Sequence, residues 1–203
     1  SFSGQGGSLA AVMMAGGKSL GSPEPRVCGL GLASGFGMGA AVHLAGVREG
    51  RRVLKPLSEL WGEGNPWGDV LSGWIPDREL LCSRRNGPAS QLALLLARQA
   101  VEDAGYKVTA NLLLRSIELG ICGPYHVLAS GCAAGLDAVG MAAMLMRQGV
   151  VQRALAIGLD LPLCRELLGT YWASGMLSRN GLNDPYGPLA DGMCISEGGA
   201  AIA

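Results

Sequence analysis

Glycine constrains the fold of this chain more than any other residue type. It occupies 33 of the 203 positions, with little low-complexity sequence. Many of these glycines stand where short apolar runs end, at positions 29, 31, 35, 37, 39, 198 and 199. Because a residue without a side chain lets two backbones approach closely, this distribution predicts tight backbone packing around a buried site. Only residues 15–25, with Pro23 and Pro25 among several glycines, have the composition of a linker.

Short apolar runs alternate with longer stretches of helical spacing. Strands are predicted at residues 26–32, 125–130, 151–159 and 200–203, and helices at 39–49, 90–104 and 133–149. This alternation predicts an α/β domain, layered helix–sheet–helix, with a largely parallel or mixed sheet. The helix at 133–149 has few polar positions, which predicts a central helix buried on nearly all sides. Residues 61–76 hold three of the four tryptophans and are predicted to be a loop with ordered aromatic packing.

Charge and composition exclude several functions. The formal net charge is zero and basic residues cluster only in pairs, so no field for binding a nucleic-acid backbone is expected. No apolar run approaches the roughly 18–20 residues that span a bilayer, and the expected location is the cytoplasm. The six cysteines include no C-x-x-C pair, which disfavours a disulfide framework or a zinc ribbon and predicts that most are buried thiols.

Cys132 is the candidate nucleophile. It lies where a predicted strand ends and a helix begins, among the small residues Gly131, Ala133, Ala134 and Gly135. Small neighbours allow a sharp turn, and the first turn of a helix offers free N–H groups and a positive dipole end that favour a thiolate. A free cysteine packed among small residues is the alternative. A metal cluster of Cys122, His126 and Cys132 is disfavoured because strand geometry directs these side chains to different faces, and no metal is expected.

Five segments, in this order, resemble the β-ketoacyl synthases, which are thiolase-like condensing enzymes. They are RVCGLGLASGFG at 26–37, SQLALLLARQAVEDAGY at 90–106, ELGICGPYHVLASGCAAGLDAVGMA at 118–142, MLS at 176–178 and DGMCISEGGA at 191–200. The resemblance implies the N-terminal half of a thiolase-like fold over residues 26–203. The segment around Cys132 and the later D-G-x-x-x-x-E-G pattern are its most specific parts.

The resemblance also implies a chemistry and a site. Cys132 would take an acyl group as a thioester, and a decarboxylated malonyl thioester would then attack it. The backbone N–H of Cys132 would serve as one oxyanion-hole donor. Asp191 and Glu197 would support the site, although a surface position is an alternative for Glu197. Tyr171 matches an aromatic residue near the acyl pocket, where plain core packing is equally plausible. No cofactor is implied.

Several departures from the family pattern stand beside this resemblance. The family's two catalytic histidines belong to its C-terminal half, and neither His43 nor His126 matches them, so both are predicted to be packed or surface residues. Gly187 and Ala190 replace an Asp and an Arg of the family, which removes an ion pair. The stretch between Tyr106 and Glu118 is far shorter than the family's usual segment, which carries a sheet strand and part of the dimer contact, so either the fold is trimmed or residues are missing here. Residues 1–14 resemble the closing glycine-rich strand of a C-terminal half, as in a tandem, permuted or stitched arrangement.

The function that we expect is decarboxylating Claisen condensation of acyl and malonyl thioesters on acyl carrier protein, in fatty-acid or polyketide synthesis. It would require a C-terminal half beyond residues 26–203. One alternative is a non-catalytic, chain-length-factor-like partner of an active ketosynthase, which the missing histidines favour and the retained Cys132 disfavours. Another is a thiolase or initiation-type enzyme that uses coenzyme A. The expected partners are acyl carrier protein and a second synthase-like chain in a homodimer or heterodimer, with neither nucleic acid nor membrane insertion.

Overall fold

A computed structural model describes residues 8–15, 24–67, 70–84, 86–106 and 123–203. Eight strands are described: β1 (Ser8–Ala15), β2 (Leu30–Ser34), β3 (Gly37–Met38), β4 (Lys55–Pro56), β5 (Leu71–Ser72), β6 (Tyr125–Leu128), β7 (Arg153–Asp160) and β8 (Gly198–Ile202). Five α-helices accompany them: α1 (Ala40–Arg48), α2 (Ser58–Trp61), α3 (Pro88–Asp103), α4 (Ala134–Arg147) and α5 (Arg165–Ala173). Every strand and helix predicted above has a counterpart within a few residues. The shortened stretch after Tyr106 lies outside the described residues.

One six-stranded sheet, in the order β3-β2-β8-β7-β1-β6, forms the centre of the molecule. Strands β2, β7 and β6 run in the same direction, but β8 lies antiparallel between β2 and β7, and β1 lies antiparallel between β7 and β6. Neighbouring strands of this sheet are therefore antiparallel throughout the described residues. The expectation of a largely parallel or mixed sheet was wrong for the described strands, because a returning strand separates each pair of strands that run the same way.

Two helices cover opposite faces of this sheet. The side chains of β7 alternate between them: Leu155, Ile157 and Leu159 pack with α3, whereas Ala154 and Ala156 pack with α4. On the α3 side Leu92 and Leu96 are fully buried. The domain is therefore layered helix–sheet–helix, as the alternating pattern predicted.

Glycines allow both helices to lie close to the sheet. A Cβ on Gly31 would stand 2.2 Å from the Leu96 carbonyl oxygen of α3, and one on Gly158 would stand 3.1 Å from the Gly135 Cα of α4. Neither position has room for a side chain without movement of backbone. The predicted role of glycine in close backbone packing is therefore confirmed at these contacts.

Helix α4 is buried on one side only. Ala134, Ala138 and Ala142 face the sheet, whereas Leu136 on the other side is 76% exposed, with Val139 and Met144 also exposed. The buried position that its apolar pattern predicted is therefore met on the sheet side only, because no described element covers this outer face. None of the described helices is long and apolar enough to cross a membrane.

A third cluster lies beside the sheet, where the tryptophan-rich loop meets α5. It includes Leu57, Trp67, Leu168 and Ile195, with Trp61 and Tyr171 packed against it. The Trp61 and Trp67 rings lie 5.4 Å apart. This packing confirms the ordered aromatic loop.

Candidate active site

One end of the sheet lies next to two of the residues that the sequence singled out, Cys132 and Glu197. β2, β7 and β6 end there, at Ser34, Asp160 and Leu128, and β8 begins there at Gly198. Cys132 follows β6 by four residues, and Glu197 immediately precedes β8. Because same-direction strands place their carboxyl ends at one edge, the sheet itself brings the nucleophile segment and the Glu197 segment to the same side of the molecule.

Cys132 lies in a 3-10 turn, Gly131–Ala133, that leads directly into α4. Gly131 has a φ of 75°, a conformation that glycine adopts most readily, so the chain can turn sharply from the strand into the helix. Cys132 is an exposed residue. The Ser130 hydroxyl donates a hydrogen bond to the Asp137 carboxylate in the first turn of α4. This contact links the residues on either side of Cys132.

The other cysteines differ from the sequence prediction. Five cysteines are described and all five are free, but Cys28, Cys82 and Cys132 are exposed and only Cys164 and Cys194 are partly covered. The prediction that most are buried was therefore wrong among the described residues. Burial raises the pKa of the Cys194 thiol, an effect that a hydrogen bond with Ser178 opposes. Cys122 lies outside the described residues.

Glu197 is an interior carboxylate, only 3% exposed. It accepts hydrogen bonds from the Arg78 guanidinium at 2.5 Å and from the Ile75 N–H at 3.3 Å. Burial raises the pKa of Glu197 above its usual value, although the Arg78 charge acts in the opposite direction. The alternative of a surface Glu197 was wrong, because the loop of residues 73–78 covers its side chain.

Asp191 organises the loop that follows α5. Its carboxylate accepts hydrogen bonds from the Ser178 hydroxyl at 2.6 Å and from the N–H groups of Arg179 and Asn180 at 2.9 and 3.0 Å. The Ser178 hydrogen bond is the main cause that lowers the pKa of Asp191, and the two backbone bonds add to it. Asp191 thus fixes backbone shape at residues 178–180.

Tyr171 and the two replaced positions lie near this loop. Tyr171 is partly buried against the third cluster, beside Trp67 and Leu168. At position 187 a Cβ would meet the Asp184 carboxylate at 1.9 Å, so the local turn accommodates glycine there. A role of Tyr171 in an acyl pocket stays a prediction.

The two histidines lie in different surroundings. The His43 ring contacts the Ser34 hydroxyl at 2.8 Å and the Gly39 carbonyl oxygen at 2.7 Å, so it is packed at the start of α1. Ser34 ends β2, which is separated from β6 by four strand spacings, or about 19 Å. His126 is exposed on β6.

Three residues that contact Glu197 or Asp191 were missed by the sequence reasoning: Arg78, Ser178 and Asn180. Arg78 pairs with Glu197 across 119 positions of the chain, and Ser178 reaches Asp191 across 13. No local spacing signals such contacts. The only available signal was the match of MLS at 176–178, which includes Ser178 but gives it no role.

A family comparison supports the assignment of the segment that carries Cys132. The β-ketoacyl synthase N-terminal domain matches residues 108–203, just under half of the chain. This range includes Cys132, Tyr171, Asp191 and Glu197. No curated protein sequence matches the chain.

Solved structures show the same fold at low sequence identity. A ketosynthase from module 6 of the bacillaene synthase of Bacillus subtilis has a TM-score of 0.72 at 17% identity, covering 95% of this chain and 38% of that one. A β-ketoacyl synthase from Burkholderia phymatum has a TM-score of 0.69 at 15% identity, covering 95% and 58%. The AntDE:AntF structure, described as a type II polyketide synthase acyl carrier protein in complex with its ketosynthase bound to the hexaketide, has a TM-score of 0.66 at 21% identity, covering 87% and 56%.

The chain thus spans little more than half the length of the AntDE:AntF and Burkholderia phymatum chains, and 38% of the bacillaene synthase chain. Both comparisons name the family that the sequence motifs suggested. The resemblance to the β-ketoacyl synthases is therefore confirmed, with a thiolase-like fold over the described chain and an N-terminal domain match at residues 108–203.

Proposed function

We propose that this chain is the nucleophile-bearing part of a decarboxylating condensing enzyme, and that Cys132 accepts the acyl group. The observation that carries the proposal is the exposed Cys132 in a glycine-initiated turn at the start of α4. In the first step the Cys132 sulfur attacks the thioester carbonyl carbon. A new S–C bond forms, and the donor's C–S bond breaks to release the carrier thiol. The backbone N–H of Cys132 would stabilise the negative charge on the carbonyl oxygen.

The second step needs groups from elsewhere. A malonyl thioester loses CO₂, and the resulting carbanion attacks the acyl carbonyl carbon, which frees the Cys132 thiol. Decarboxylation requires a hydrogen-bond donor at the malonyl thioester carbonyl, a role for histidine that neither His43 nor His126 is placed to fill. A C-terminal half, in the same or another polypeptide, would supply it. Asp191 and Glu197 would act indirectly, by holding the loops at the sheet edge.

The proposed partners are acyl carrier protein and a second synthase-like chain. β6 is an edge strand that pairs only with β1 among the described residues, and it exposes Tyr125 and Val127. Beside it, the outer face of α4 is apolar. An open strand edge next to an apolar helix face favours association with another synthase-like layer.

Acyl transfer to Cys132 tests the proposal directly. The purified chain is incubated with an acyl-coenzyme A and, separately, with an acyl carrier protein thioester, and the adduct is located by mass spectrometry. The expected adduct lies on Cys132, is absent from Cys132→Ala and persists in Cys28→Ala and Cys82→Ala, which remove the other two cysteines exposed among the described residues. Labelling of Cys28 or Cys82 first would refute the assignment. A preference for the coenzyme A donor would favour the initiation-type alternative.

The chain-length-factor-like alternative is supported by Gly187, Ala190 and the histidine positions. It predicts that Cys132 is never acylated, even when an active ketosynthase is present. For either function, the chain alone should not turn over a malonyl thioester. Release of CO₂ by the purified chain would contradict the role given to a C-terminal half.

A further inference from the structure

The strand that leads to Cys132 is attached to the sheet through β1. In the described chain β6 and β7 share no backbone pairing. β1 lies between them and pairs with both. In the backbone register, Ala11 is opposite Val127 of β6 and opposite Ile157 of β7. The link between the nucleophile segment and the rest of the sheet is thus made by a strand more than a hundred residues away in sequence.

The Cys132 turn has two structural anchors. On one side it follows β6, whose place depends on β1. On the other side it enters α4, which is fixed to β7 where Gly135 meets Gly158. α4 also lies over β1. A turn held at both ends keeps its geometry only if both anchors are intact, so displacement of β1 would release one of them.

The topology also shows what kind of segment fits this position. The interval between β6 and β7 holds one strand, antiparallel to both neighbours, which pairs over eight residues with β7 and over four with β6. Backbone hydrogen bonds supply most of the affinity when a strand is added to a sheet, so a strand can fill such an interval without covalent continuity.

We propose that β1 is a separable positioning element of the Cys132 site, and that the interval between β6 and β7 accepts a β1 strand supplied in trans. The occupant in trans is Ser8–Ala15 of a second copy of the chain, which would make the pairings that the chain's own β1 makes here. This inference rests on the proposed function only for its effect on Cys132, and its structural part stands independently.

Hydrogen exchange on the unmodified full chain tests the structural part. As denaturant is increased, the amides of β1 and β6 should lose protection together, in one opening event, while those of β2 and β8 stay protected to higher concentrations. β6 amides that remained protected after β1 had opened would overturn the proposal, because β6 would then be held by something else.

A proline variant with a matched control tests the positioning role. Ala11→Pro removes one backbone N–H from the doubly paired strand, whereas Ala11→Gly keeps it. The proline variant should exchange β6 amides at least tenfold faster, and its Cys132 should be alkylated severalfold more slowly, at a rate close to that of Cys28. The glycine variant should change either rate less than threefold.

A synthetic peptide of residues 8–15 with a lysine tail should restore slow exchange of the β6 amides and fast alkylation of Cys132 in the proline variant. Failure of the peptide, in a variant whose β2 and β8 amides stay protected, would refute complementation in trans. If the proline variant unfolds throughout, hydrogen exchange on the unmodified chain decides whether β6 depends on β1. Equal alkylation of Cys132 and Cys28 in the unmodified chain would count against the proposed function and leave the β1–β6 coupling intact.

Discussion

The helices on the two faces of the sheet are built in opposite ways. α3 directs large side chains, Leu92 and Leu96, towards the sheet and has the composition of an outer layer. α4 directs Ala134, Ala138 and Ala142 towards the sheet and exposes Leu136, Val139 and Met144. Small residues on the inner side and large ones on the outer side are the pattern of a middle layer, since an outer layer would present polar residues to water. The comparison shows that the large side chains of α3 are covered, whereas those of α4 are not, which supports the proposed association through the α4 side.

The largest expected effect concerns association through the α4 side. The parent chain should sediment as a species larger than its own 20.8 kDa, through an interface on the order of 2,000 Å² or more. Leu136→Asp places a charge in that interface and should weaken association at least tenfold. Leu44→Asp, at an exposed leucine of α1, is the matched control and should leave it unchanged. A stable parent monomer at micromolar concentration would contradict the proposed association.

Truncating one leucine on each helix should lower the free energy of unfolding much more on the α3 side than on the α4 side. Leu96→Ala removes a fully buried side chain and should lower the free energy of unfolding by about 2–5 kcal/mol. Leu136→Ala, at a residue 76% exposed, should change it by about 0.5 kcal/mol or less. Urea titrations of both variants under monomeric conditions provide the measurement. Equal losses would show that the α4 face is covered within the chain.

Two glycines allow a similar test within the α4 side. Gly158→Ala places a methyl carbon 3.1 Å from the Gly135 Cα, so α4 would have to shift by a few tenths of an ångström, and it should destabilise the fold by about 1–3 kcal/mol. Gly140 lies within α4 with nothing close to its missing Cβ, so Gly140→Ala should stabilise by about 0.5–1 kcal/mol through helix propensity. Thermal unfolding should therefore shift in opposite directions. If Gly158→Ala left the unfolding temperature unchanged, α4 would have to move freely over β7.

The smallest expected effect is a pH dependence on the α3 side, where Glu197 lies beside Ile75 of the α3 core. Because burial raises the pKa of Glu197, the folded state favours the protonated carboxyl. Its contribution to stability is complete below the unfolded pKa and is lost as pH rises through the folded pKa. The parent should therefore lose stability relative to Glu197→Gln as pH rises from about 4 towards neutrality. The opposite trend would mean that the Arg78 pair outweighs burial.

Much of this architecture followed from the sequence, because helical spacing and glycine positions are local signals. The helix over residues 90–104 and the strand–turn–helix around Cys132 were predicted within a few residues. The direction of neighbouring strands was not, since nothing local reveals that β1 and β8 return between same-direction strands. The Arg78–Glu197 pair was also missed. Glu197 could be recognised from the family pattern, but its partner depends on how a distant loop folds over it.

The pairing of β1 has a consequence for how the chain folds during synthesis. Ser8 pairs with Asp160, so β1 leaves the ribosome about 150 residues before its last partner is made. At about 5–20 residues per second, this delay lasts roughly 8–30 seconds. Throughout that time the nascent segment SLAAVMMA has no β7 to pair with. An uncharged apolar segment without its pairing strand is a site for mispairing with other nascent chains, so the yield of native protein should depend on chaperones that hold this segment until β7 is made.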